Sequence, residues 1–128
     1  MVNPLKVAGF LLLGLLICGC KSTTVTNLTP SQMIRNPSGL YPFEMAWESK
    51  QQSLRKNSLT PQVIIGTETY PMKPTAIVSN RWETLIPVPP DQKLVYYRFK
   101  IDYEYNSIPQ PRANSKLSSP YRLEITDK

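Results

Sequence analysis

The chain has 128 residues, no histidine and only two cysteines, Cys18 and Cys20. A Ser-His-Asp or Cys-His nucleophilic site therefore has no base, and a Cys/His zinc site has too few ligands. Three other sets of side chains have types and spacings that could do chemistry. The first is aromatic. Trp82 and Tyr70 could stack their faces on sugar rings, with Arg81 or Glu83 bonding the hydroxyls. Core packing competes with that role, and it is the expected role of Trp47, Tyr97 and Phe99. The second set is the carboxylate pair Asp102 and Glu104. Two residues apart on one strand face, their Cα atoms lie roughly 6.5–7 Å apart, a spacing that glycoside hydrolysis tolerates. Arg98 and Lys100 share that face, however, and cationic neighbours keep exposed carboxylates ionised and poor as general acids. An exposed charge ladder is the better reading. The third set is Ser49-Lys50 and Ser115-Lys116. These pairs are adjacent, whereas a serine–lysine nucleophile is usually set one helical turn apart. A phosphate-cradling glycine loop and an Asp-rich calcium loop are both missing from the sequence. The chain is thus expected to be no enzyme, with no catalytic, metal-binding or cofactor-binding residue.

Strands must position these groups. Beyond residue 19 there are 12 prolines in 109 residues (13 less Pro4; 128 less 19), about twice the ~5% of an average chain. Proline breaks helices, and no amphipathic helix stands out. Period-2 alternation dominates instead. Tyr41, Phe43, Met45 and Trp47 share one face. Val95, Tyr97, Phe99, Ile101, Tyr103 and Tyr105 share another, with Arg98, Lys100, Asp102 and Glu104 behind them. Trp82, Thr84, Ile86 and Val88 form a third set, and Tyr121, Leu123 and Ile125 a fourth. Val63, Ile64 and Ile65 mark a strand in which Gly66 invites a bulge. A weaker strand covers Thr24 to Leu28. Asn106 to Ser119 reads as a loop that is long for a hairpin. One buried face per strand predicts antiparallel sheets, and two such sheets packed together predict an all-β sandwich of about seven strands.

Two segments resemble a fibronectin type III domain. Tyr41 to Trp47 is similar to that family's second strand, which ends in a core Trp. Tyr97 to Ile101, then Asn106, then Ser119-Pro120 before the last strand, is similar to its final hairpin. The resemblance implies a single Ig-like or fibronectin type III-like sandwich. Tyr70-Pro71-Met72, Arg81-Trp82-Glu83 and Tyr96 to Lys100 also resemble starch- and glycogen-binding modules. That resemblance implies a carbohydrate platform built on Trp82 and Tyr70.

The N-terminus supplies the address. Val7 to Ile17 is an apolar run of about 11 residues, too short to span a bilayer, which takes ~20, and of the right length for a signal-peptide core. Ile17-Cys18-Gly19-Cys20 resembles the lipobox of bacterial lipoproteins, although Cys18 stands where Ala, Ser or Thr is usual. In that family the Cys thiol receives a diacylglyceryl group and the signal is cut before it. The resemblance implies a cleaved segment 1–19, lipid on Cys20, a short tether over 20–27 and a folded domain over 28–128. Lys21 stands where Asp would signal inner-membrane retention, which implies the outer membrane of the cell envelope. The stretch after Cys20 is similar as a whole to lipoproteins with Ig-like domains, a likeness that brings no activity with it.

Fifteen Lys and Arg against nine Asp and Glu become +5 once Lys6 leaves with the signal (14 − 9). The cations are scattered, so a solvated face is expected and nucleic acid is not. Weak attraction to anionic lipid headgroups or acidic cell-wall polymers is the alternative. The expected function is a non-catalytic structural or protein-interaction module held by its lipid at the envelope. The second expectation is a carbohydrate-binding module. The expected partners are the membrane through Cys20 and an envelope protein or glycan.

Overall fold

The computed structural model describes residues 23–128, so the expected signal segment 1–19 and Cys20, the expected site of lipid, lie outside the described residues. Ten strands follow one another: β1 (Thr23–Asn27), β2 (Gln32–Ile34), β3 (Leu40–Ser49), β4 (Thr60–Ile65), β5 (Glu68–Pro71), β6 (Lys73–Pro74), β7 (Arg81–Pro87), β8 (Leu94–Tyr105), β9 (Arg112–Leu117) and β10 (Tyr121–Thr126). The single helical element among the described residues is a 3-10 turn, Lys56–Ser58.

The strands form two sheets. One runs β1-β3-β7-β6; the other runs β2-β10-β8-β4-β5, with β9 also paired to β8. Every pairing is antiparallel except that of β2 with β10. In chain order this is the immunoglobulin arrangement. Its A, B, E and D strands fall in one sheet, and its C, F and G strands, with an added C′ strand, fall in the other. The expected all-β sandwich is therefore what the chain forms. Its strand count is higher than seven because the short β2 and the C′ strand β5 are added and one lane is split into β9 and β10.

The alternation read from the sequence is the core. Tyr41, Phe43, Met45 and Trp47 of β3 face Val95, Tyr97, Phe99 and Ile101 of β8, all buried, with Val63, Ile86, Leu123 and Ile125 completing the layer. Burying a Phe or Ile side chain of this kind contributes ~1.5–3 kcal/mol. No cysteine lies among residues 23–128, so aromatic contact joins the two central strands instead. The rings of Phe43 and Tyr97 meet edge to face at 4.8 Å, the arrangement their quadrupoles favour.

Three expectations are corrected. Residues 23–27, assigned to the tether, form β1 and pair along β3 from Thr23↔Ser49 to Asn27↔Met45, so the fold starts five residues earlier than Leu28 (28 − 23). Gly66 makes a hairpin turn, not a bulge: Ile65 pairs with Glu68, which leaves Gly66-Thr67 as a two-residue loop. The φ of +61° at Gly66 at the first loop position is that of a type II′ turn, where glycine carries no Cβ penalty. The long loop is part strand: six of its fourteen residues, Arg112–Leu117, form β9. Only residues 106–111 connect β8 to β9, and β9 and β10 then lie end to end along β8. The register slips between Leu117↔Lys100 and Tyr121↔Tyr97, four residues against three, so the bulge sits at 118–120. Ser118 carries it: its N–H donates to the Phe99 carbonyl and its hydroxyl oxygen accepts from the Phe99 N–H, both at 2.8 Å.

Two cavities at opposite poles and an open strand edge

The strand directions define two poles. At the N-terminal pole β1 begins, β3 ends and β7 begins. The register there pairs Met45 with Trp82, so Trp47 and Trp82 are diagonal neighbours on the inward face, within reach of each other's large side chains. Together they line a cavity of about 260 Å³, closed by the Leu54 and Leu59 side of the β3–β4 loop and by the β6–β7 turn. Lys56 and Arg81 also line it, and no carboxylate does. Trp47 is buried (3% exposed) and packs against Tyr103 at 5.5 Å between ring centroids. Its indole N–H has no hydrogen-bond acceptor among the described residues. Leaving such a donor unmade costs ~1–3 kcal/mol, and native proteins leave few.

At the opposite pole the β4–β5 turn, the start of β3 and the β7–β8 connection surround a wider cleft of about 690 Å³. Tyr70 and Glu68 line it with Ile65, Val88 and Gln92. The Tyr70 hydroxyl donates to the Glu68 carboxylate. That bond, followed by partial burial and the carboxylate's charge, raises the Tyr70 pKa above the ordinary tyrosine value. Deprotonation would set an anion against an anion.

The four residues suggested for a sugar platform are therefore separated. Trp82 is on β7 in one sheet and Tyr70 on β5 in the other, each half-buried against the core and each in a different cavity. Arg81 lines the cavity of Trp82. Glu83 lies on the outer face of its sheet, between Glu44 of β3 and Lys73 of β6. Trp47 was expected as core, where it lies, and Lys56 and Leu54 were not singled out from the sequence. Alternation placed Trp47 and Trp82 on inward faces, but only the β3–β7 register makes them neighbours.

The remaining candidates are ordinary surface. Asp102 accepts from Gln62 Nε2 at 3.0 Å and lies 3.8 Å from Lys100 Nζ. Glu104 pairs with Arg55 at 3.3 Å. The charge ladder is thus a set of exposed ion pairs. Ser49 bonds Thr23 Oγ1 at 3.2 Å and accepts from the Gln51 N–H. Ser115 and Lys116 alternate along β9, where they pair with Asp102 and Ile101.

That strand has an open side. β2 runs beside β10 only at Glu124 to Thr126, and nothing among the described residues continues that lane beside β9. The Ser118–Phe99 bond sets the alternation of the ladder, which turns the backbone groups of Ala113, Ser115 and Leu117 to the open side. The Ser115 N–H is satisfied locally by Asn114 Oδ1 at 2.8 Å. All of β9 except Lys116 is exposed.

No protein-family model matches the chain, and no curated protein matches it. Among solved structures it is similar to murine CRIg, at 12% identity over 80% of this chain and 98% of that one, with a TM-score of 0.42. A likeness at that level carries no argument, and the fold assignment rests on strand order and register.

Proposed function

We propose that the protein is a non-catalytic interaction module, held at the outer membrane of a bacterial envelope by lipid on Cys20, that takes up an extended segment of a protein partner along β9. The observation that carries this reading is the open edge of β9, a six-residue strand beside a lane that β2 fills only alongside β10. An added strand would gain main-chain hydrogen bonds there, the usual source of affinity in such recognition. Arg112 and Lys116 share one face of β9, which discourages pairing with a second copy of the same strand and suits a partner carrying acidic side chains. Anchoring is supported by the sequence Ile17-Cys18-Gly19-Cys20 and by the position of β1. With Thr23 already in the sheet, only three residue steps separate it from Cys20, or ~10 Å of chain. The domain would lie against its membrane, where a tethered module meets partners at raised local concentration.

A photo-crosslinking residue placed at Ala113 or Leu117 in the intact envelope should trap a discrete partner, while the same residue at Glu48, on the outer face of the other sheet, should not. Equal labelling from all three positions would remove the edge from the account. Cys20→Ala should release the chain from the membrane fraction. A Cys20→Ala chain that stays membrane-bound after removal of its signal would disprove the lipid anchor.

A further inference from the structure

We propose that the N-terminal pole seats in the headgroup layer of an anionic lipid membrane, with two loop tips, at Ile77 and Ile108, entering that layer. The first observation is exposure. Ile77 (96% exposed) and Ile108 (94%) are the most exposed large apolar side chains among the described residues. A lone exposed apolar residue is ordinary on a protein surface, but these two stand at the same end of the sandwich. Ile77 is on the β6–β7 turn of one sheet and Ile108 on the β8–β9 connection of the other. The β3–β4 loop lies beside both segments: the Asn106 N–H donates to the Ser53 carbonyl at 2.7 Å, and Lys56 and Val78 line one cavity. The second observation is charge. Lys50, Arg55 and Lys56 are exposed on the β3–β4 loop, and residues 50–59, 75–80 and 106–111 hold no Asp or Glu. Of the three cations, only Arg55 has an ion-pair partner among the described residues, Glu104. Apolar groups flanked by cations gain twice at an anionic bilayer surface, from burial of their carbon and from attraction to the headgroups. The opposite pole has mixed charge, with Asp91 beside Lys93 in the β7–β8 connection. The third observation is backbone. In Ile108-Pro109-Gln110-Pro111 the two prolines have no N–H, which lowers the cost of moving this tip into a layer poorer in water.

The nearness of a membrane rests on the anchoring reading above. It puts the right end of the molecule at the bilayer, because β1 enters at this pole with Thr23 paired to Ser49. Ile77, Val78 and Ile108 together bring fewer carbons than one myristoyl chain, which alone binds only marginally and reversibly. The tips therefore orient an anchored domain and do not hold it, and release of Cys20→Ala remains the expected result. With the pole seated, the open edge of β9 rises from the membrane, beginning at Arg112 beside the end of β8.

The full lipidated chain would be reconstituted in vesicles of equal parts phosphatidylcholine and phosphatidylglycerol, with a diazirine residue in place of Ile77, Ile108 or Thr67. Thr67, exposed on the β4–β5 turn, reports on the opposite pole. Irradiation should attach phospholipid at the first two positions, read by mass, and leave the third bare. Ile108→Ser in the chain that carries the probe in place of Ile77 should lower its yield by up to about tenfold, the worth of withdrawing one buried Ile. Lys50→Glu combined with Lys56→Glu, both at exposed positions, should lower the yield in these vesicles and not in phosphatidylcholine alone. Equal attachment at all three positions would overturn the proposal. So would no attachment in place of Ile77 and Ile108 while the chain stays on the vesicles, or a yield that the double lysine variant leaves unchanged. In the intact envelope, attachment of these two positions to a protein instead of lipid would overturn it too, and would make the tips a protein-docking surface. A chain that does not stay on the vesicles at all marks failure of the anchor, which removes this contact with it, so the two failures are distinguishable.

Discussion

The two poles of the sandwich have the same construction, strand ends closed by loops, and opposite chemistry. At the N-terminal pole two tryptophans and two cations surround a small space with an unpaired N–H donor. At the other, a carboxylate and the tyrosine it bonds line a cleft more than twice as large that has no cation in its wall. The sheet registers, more than the residue types, decide which side chains each pole brings together. Trp82 and Tyr70 look equivalent in the sequence. β7 carries one toward Trp47 and Arg81, and the β4–β5 turn carries the other toward Glu68.

One core cluster lies between the poles and holds both in place. Phe43→Ala should therefore have the largest effect, a loss of ~3–5 kcal/mol as expected for deleting a buried aromatic ring. Urea unfolding should show one transition for tryptophan emission and far-ultraviolet dichroism alike. Two separate transitions would mean that the poles are independent units.

Next in size is Gly66→Ala. The positive φ there costs an L-residue ~1–2 kcal/mol, although the space around it is open. It should lower the urea midpoint while leaving native tryptophan emission unchanged, because Gly66 belongs to the other pole. A shift in emission would show that the poles communicate.

Alkaline pH gives a smaller effect. Burial raises the Tyr97 pKa, opposed by the hydrogen bond that Asn27 Nδ2 donates to its hydroxyl at 2.9 Å. A raised folded-state pKa means that the proton is held more tightly in the folded chain. The stabilisation is complete below the unfolded value of 10.0 and is lost as pH rises from there through the folded value. Stability should fall above pH 10, and Tyr97→Phe should flatten the fall without abolishing it, because the pKa of Tyr70 is raised as well. A Tyr97→Phe curve parallel to wild type would contradict this. The smallest effect belongs to the exposed Arg55–Glu104 pair, where Glu104→Gln should cost under ~1 kcal/mol in thermal unfolding and leave both poles unchanged.

Much of the fold was readable because half-buried strands alternate. Tyr41 to Trp47, Val95 to Tyr105 and Tyr121 to Ile125 carry that pattern, and they became β3, β8 and β10. β9 was not readable. In Arg-Ala-Asn-Ser-Lys-Leu almost every side chain is exposed, so there is no buried face to impose a period, and a bulge separates it from β10. β1 was read as a weak strand yet assigned to the tether, because its threonines suit either. The cavity was the least readable feature. Its walls come from β3, β7, the β3–β4 loop and the β6–β7 turn, and only long-range register brings Trp47, Trp82, Lys56 and Arg81 together. An unpaired indole N–H has no signature in a sequence.

Whether β9 takes up a partner strand is decided by Ser115→Pro. The Ser115 N–H faces the open side and bonds only its own neighbour, Asn114 Oδ1, so proline there removes a donor the partner would use and none that the sheet uses. The crosslink from a photo-reactive residue at Leu117 should be lost in Ser115→Pro while the urea midpoint stays in place. A crosslink of unchanged yield would show that recognition does not run along β9.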